Sequence, residues 1–209
     1  MKTKLLYIAL ICILSINQLA YALQDTEEGR KYLEALVNLK RIESYFTEEP
    51  IYLNKNEKFK SNLRKKIAKI INCIKDYQKT DPENPEVLFY LGKTYSYAHD
   101  LDIPGAWQNS VKYFNKLIEM QPENTMARLL QAKNYMDNQE YDKALGEYEY
   151  VNKLEPHGQA LRFMAIAKMY LKRKNEAKND LSEYIKYNPN DVYAKKLLNA
   201  IESEKIQYD

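Results

Sequence analysis

The sequence predicts an all-α chain built from stacked pairs of antiparallel helices. Three observations predict it. Prolines recur in register: Pro122, Pro156 and Pro189 stand 34 and 33 residues apart. The same residue classes precede each of them at fixed distances. Twelve before is a small residue (Ser110, Ala144, Ala177), eight before a bulky one (Phe114, Tyr148, Leu181), and five before another (Leu117, Val151, Tyr184). Finally, there are only 5 glycines, 29% of residues are charged, and no stretch alternates apolar and polar residues as a half-buried strand would. A fixed period near 34 residues marks an array in which no single helix pair buries its apolar face alone, so neighbours share a core.

The central unit, 123–156, shows the pattern most fully. Two amphipathic patterns, Thr125–Asn138 and Tyr141–Leu154, flank a short polar turn. Pro156 then stops the second helix, because proline lacks an N–H and restricts the residue before it. Ala132 and Ala165 lie 24 residues before Pro156 and Pro189, and Tyr135 follows Ala132 by about one turn. Over 84–190 the chain resembles the tetratricopeptide repeat family. The resemblance implies a right-handed α-solenoid. Its small residues (Gly92, Ala132 and Ala165 on first helices; Ser110, Ala144 and Ala177 on second ones) let helices approach, and its bulky ones fill the gaps. Two departures stand out. Gly92 to Pro122 spans 30 residues against the usual 24, and Lys168 replaces the tyrosine found at Tyr95 and Tyr135.

In chain order, 1–22 reads as a secretory signal peptide. Lys2 and Lys4 give a positive start, Leu5–Ile16 is mostly apolar, and Ala20-Tyr21-Ala22 is a small-x-small site with cleavage expected before Leu23. The apolar run is short for a membrane span. An uncleaved leader acting as a membrane anchor is the alternative. Removal of 1–22 leaves 30 basic against 29 acidic residues, a balance that calls for no nucleic-acid partner.

The segment 23–83 reads as a degenerate helix pair. Tyr32, Ala35, Leu36, Leu39, Ile42 and Phe46 share one face of a helix over Glu28–Phe46. A loop containing Pro50 follows. A longer helix over Glu57–Lys79 has Phe59, Leu63, Ile67, Ile70, Ile74 and Tyr77 as its stripe, with lysines and Arg64 on its other faces. Ile70, Ile74 and Tyr77 precede Pro82 by 12, 8 and 5 residues, so a bulky residue stands where a small one belongs and a wider helix crossing is expected. The basic faces are either solvated or meet an anionic membrane surface or acidic partner. Cys73, alone after the leader, reads as a buried small apolar residue and excludes an internal disulfide.

Three repeats then occupy 84–189. The extra residues place a turn at Tyr97–Trp107, with Trp107 packing the start of the next helix. His99, Asp100 and Asp102 in that turn are too few for a metal site. After Pro189, Asn190 or Asp191 caps a last helix within 190–209. Val192, Leu197, Leu198 and Ile201 form its apolar side, and it closes the core toward water.

The chemistry-bearing motifs are missing. There is no phosphate-cradling glycine loop, no His-Glu-x-x-His, no Gly-x-Ser-x-Gly and no cysteine pair. The expectation is a non-enzymatic protein with no cofactor, no metal and no small-molecule substrate. The family resemblance implies that first helices line a concave groove. The residues it places there are Phe89, Lys93 and Tyr97, then Met126, Leu129, Lys133 and Met136, then Arg162, Ile166, Met169 and Tyr170. Methionine and aromatic side chains suit an apolar peptide, and the three cations suit a carboxylate. Phe89 and Lys93 stand where the family's lysine–asparagine clamp for acidic C-termini would be, so that clamp is not expected. The resulting expectation is a periplasmic or secreted adaptor that binds a protein or peptide segment. The alternative is a membrane-surface structural protein acting through the basic helix or self-association.

Overall fold

The computed structural model describes residues 23–47 and 57–203; the leader, the Pro50 loop and the last six residues lie outside them. The described residues form helices joined by short turns, and no strand occurs among them. In order these are α1 (Glu27–Thr47), α2 (Glu57–Gln78), α3 (Pro85–His99), α4 (Ala106–Met120), α5 (Thr125–Asp137), α6 (Tyr141–Leu154), α7 (Gln159–Tyr170), α8 (Lys174–Tyr187) and α9 (Val192–Glu202). No helix among the described residues is long and apolar enough to cross a membrane. The chain divides into two compact units, one ending at Ala106 and one beginning at Trp107.

One device starts three of the helices. Asn84, Asn124 and Asp191 each follow a proline by two residues, and each side chain accepts a backbone N–H from the first turn. That satisfies donors the helix cannot pair internally. At α7 the corresponding residue is Gly158, with no side chain to cap.

A second device ends the first helices. The N–H of Glu140 donates to Tyr135 O, and that of Arg173 to Lys168 O. Ile103 N–H donates to Ala98 O in the same way. Each bond spans a left-handed residue: Gln139 (φ 61°), Lys172 (φ 61°) and Asp102 (φ 58°). This is the closing geometry that usually takes glycine.

The recurring turn also locates the extra residues of 92–122. Gly92 to Asp102 is 10 residues, against 7 from Ala132 to Gln139. Half of the insertion therefore lies before the turn and lengthens α3, which runs on through Tyr97, Ala98 and His99. The turn itself is shorter than the sequence suggests and is fixed by Arg64, whose Nε donates to Leu101 O at 2.8 Å.

In the N-terminal unit, Tyr32, Leu39 and Phe46 of α1 and Leu63, Ile67 and Ile74 of α2 are buried, together with Val87, Leu88 and Leu91 of α3. Tyr32 stacks on Tyr77 with centroids 4.5 Å apart, and Phe46 on Tyr97 at 4.3 Å. In the C-terminal unit, Ala132, Ala144, Ala165 and Ala177 are completely buried at helix approaches, and Tyr148, Val151, Leu181 and Tyr184 fill between them. The small and bulky positions thus do what their spacing predicts.

Candidate functional site

The candidate face is carried by first helices, whose register fixes which residues share it. Ala132, Ala165 and Leu198 are equivalent, 33 residues apart. Six residues before them stand Met126, Gln159 and Val192; three before, Leu129, Arg162 and Lys195; one after, Lys133, Ile166 and Asn199. These offsets fall on one side of a helix. The C-terminal unit therefore presents a face running over α5, α7 and α9.

Its side chains differ in availability. Met126 is 51% exposed and Val192 63%. Ile166 and Met136 are half-buried, whereas Leu129 and Met169 are buried and belong to the core. Tyr170 is exposed beside the face and stacks on Tyr141 at 4.7 Å.

Most cations of the face already have partners. Lys133 pairs with Asp137 at 2.6 Å. Arg162 pairs with Asp191 at 3.1 Å and lies 5.7 Å from the Tyr193 ring centroid. Lys195 is exposed and meets no carboxylate among the described residues.

Asp191 holds this corner together. Its carboxylate caps α9 through Ala194 N–H at 2.9 Å, accepts from Tyr184 Oη at 3.0 Å, and faces Arg162. The Ala194 N–H above all, with Tyr184 and Arg162, holds its pKa below the usual aspartate value. A depressed folded-state pKa gives stability that is complete above the unfolded value and lost as pH falls through the folded one. We expect Asp191→Ala to destabilise the protein by about 2 kcal/mol at neutral pH, combining a lost cap with a lost ion-pair partner. The deficit relative to wild type should shrink in acid; urea unfolding at the two pH values checks it.

The N-terminal unit treats its predicted residues differently. Lys93 pairs with Glu43, and Tyr97 Oη donates to the same carboxylate at 3.3 Å. Burial pushes the Glu43 pKa upward, but Lys93 and Lys40 outweigh it and leave the carboxyl below its ordinary value. Tyr97 is buried under Phe46, and Phe89 is half-buried against Tyr90. Here Lys93 and Tyr97 join α3 to α1.

Val192, expected on the apolar side of α9 that closes the core, is instead 63% exposed, and Lys195 and Asn199 stand with it on the face, because α9 continues the register of the first helices as well as closing the core. The signal was present in the 33-residue step from Ala165 to Leu198. Trp107 does lie in the first turn of α4, and its indole N–H donates to Asn134 O at 3.2 Å. Among the described residues, His99, Asp100 and Asp102 form no metal-holding cluster.

No protein-family model matches the chain. No curated protein matches it either. Solved structures do. A fragment of MamA, 41-end, from Desulfovibrio magneticus RS-1 aligns over 71% of this chain and 84% of its own, with a TM-score of 0.60 at 17% identity. The first TPR of Spaghetti (RPAP3), bound to the HSP90 peptide SRMEEVD, aligns over 59% of this chain and 94% of its own, with a TM-score of 0.51 at 20% identity. The Arabidopsis OM64 TPR domain aligns over 57% and 95%, with a TM-score of 0.51 at 16% identity. The fold is the tetratricopeptide-repeat fold. The helix pairs, their small-residue approaches and their prolines are therefore the working parts of such a repeat.

Proposed function

We propose that this protein is a non-enzymatic adaptor of the cell envelope that holds a segment of a partner protein against the α5–α7–α9 face of its C-terminal unit. The observation that carries the proposal is the exposure of Met126 and Val192 in register, with the exposed Gln159 between them, on a face whose Lys133 and Arg162 are paired internally. Large apolar side chains left in water at equivalent places of successive first helices favour contact with another chain. A repeat domain of the same fold is bound to a peptide, which supports the reading.

The pairing of Lys133 and Arg162 refines the recognition. An acidic ligand would have to displace Asp137 or Asp191 from them, so apolar contact dominates and Lys195 supplies the available positive charge. Met136, Ile166 and Tyr170 border the apolar contact. The envelope address rests on the leader pattern of 1–22.

The test is quantitative capture of partners by the full chain and by Met126→Glu/Val192→Glu. Lys153→Glu, on the exposed side of α6, is the control. We expect the double variant to lose about tenfold or more of the captured partner, as apolar anchors dominate such contacts. Equal capture by all three proteins would refute the proposed face.

A further inference from the structure

Among the described residues, the α1–α2 pair has two grooves and only one of them is filled. On one side α3 lies against the pair: Tyr32 Oη reaches Glu86 at 3.5 Å, Lys93 meets Glu43, and Tyr97 stacks on Phe46. Elsewhere on the pair is an open cleft of about 470 Å³. Ala35 and Ile42 of α1 and Ile70 and Cys73 of α2 form its apolar part; Cys73 is half-buried rather than buried as its sequence setting suggests. Ile70 is the bulky residue that replaces the Ser110, Ala144 and Ala177 of the later pairs, and the cleft opens beside it.

The rim is cationic. Lys31, Arg41, Lys66 and Lys69 line it, against the single carboxylate Glu34. Lys31 is paired with Glu27 at 2.5 Å. Among the described residues no carboxylate pairs with Arg41, Lys66 or Lys69. This contrasts with Lys133 and Arg162 of the C-terminal unit, where aspartates neutralise the cations.

We propose that this cleft is a second docking site, and that its occupant is an acidic amphipathic helix of a partner protein. Three features select that occupant. Lys31 to Arg41 spans about 15 Å along α1, some three helical turns. The cations stand around a cleft rather than on a flat face, and the floor residues Ala35, Ile42 and Ile70 are only 3%, 4% and 3% exposed, so a seated helix is held chiefly by the rim and the aliphatic stems of its lysines. Carboxylates flanking the helix's apolar stripe meet Arg41, Lys66 and Lys69. The groove that α3 occupies shows that this helix pair accepts a helix as its neighbour. The site shares no residue with the α5–α7–α9 face and stands or falls apart from it.

The experiment uses the full chain and a labelled synthetic amphipathic helix of about 15 residues, long enough to span the cleft. The helix has a leucine–alanine stripe flanked by glutamates; a twin carries lysines instead. Binding is read by fluorescence anisotropy, and alkylation of Cys73 on the cleft wall by peptide mass. The expected result is binding of the acidic helix at least about tenfold tighter than its twin, weakening at high salt. Bound helix should slow Cys73 alkylation. Lys66→Glu/Lys69→Glu should weaken binding about tenfold or more with unchanged thermal unfolding, both lysines being exposed. Met126→Glu/Val192→Glu should leave this binding unchanged. Equal affinity for the two helices, or unprotected Cys73 in the wild type, would overturn the proposal. So would binding to phosphatidylglycerol vesicles without binding to the acidic helix, or a dimer abolished by Lys66→Glu/Lys69→Glu.

Discussion

Tyr148→Ala is expected to lower stability by about 4 kcal/mol, the usual scale for truncating a buried aromatic residue. Tyr148 sits eight residues before Pro156, at the bulky position of the second helix. It is 4% exposed and touches the next pair through Phe163, with centroids 5.4 Å apart. The truncation therefore removes contacts within one pair and between two. Ala144 and Ala165 are already minimal side chains at close approaches, so the helices cannot easily move in to fill the void. Thermal unfolding followed by circular dichroism should show a fall of roughly 10 °C. Tyr187→Ala, at a 60% exposed residue, should remain within about 1 kcal/mol of wild type.

Lys168→Ala should be nearly as damaging, at about 3 kcal/mol, because it breaks one half of a buried pair. The lysine replaces the tyrosine of the earlier repeats, and the structure supplies the reason. Its ammonium lies 2.6 Å from Asp180 Oδ2, and the side chain is 8% exposed. Asp180 is equivalent to Glu147, which Arg128 neutralises instead. The carboxylate recurs on the second helix while its cation has moved to another place on the first. Burial raises the Asp180 pKa despite the nearby ammonium. A raised carboxylate pKa means that burying the charge opposes folding at neutral pH, and this cost is relieved as pH falls through the folded value toward the unfolded one. Removal of Lys168 should make that acid relief larger. Lys168→Leu/Asp180→Leu should recover to within about 1 kcal/mol of wild type, since two apolar residues can replace a buried pair. Urea unfolding of the three proteins decides it; a double variant as unstable as Lys168→Ala would contradict this role.

These two residues show what could be read from the chain. Tyr148, Ala144 and Pro156 were legible together because each recurs with a fixed offset, and packing repeats as the backbone repeats. Helix limits followed for the same reason: the second helix of the central unit runs over the expected Tyr141–Leu154. Lys168 broke the pattern, and its explanation lay in a partner twelve residues away on another helix. Spacing along one helix does not reveal that. The insertion after Gly92 was legible as a number of residues but not as an extension of α3, because a helix and a turn use the same count. At the candidate face, the residue rows were legible from register. Which members would be sealed was not: Tyr97, Leu129 and Met169 face neighbours whose approach only the folded unit fixes. Asp137 and Asp191, which occupy the cations of that face, were invisible for the same reason.

The most direct measurement of the central claim is site-specific photo-cross-linking in cells that make the protein. A photoreactive phenylalanine analogue replaces Met126 or Val192 on the α5–α7–α9 face, or Lys153 or Asn179 on exposed positions of second helices. One discrete protein adduct is expected, shared by positions 126 and 192 and missing from 153 and 179. Adducts that are the same at all four positions, or present only at the second-helix positions, would contradict it.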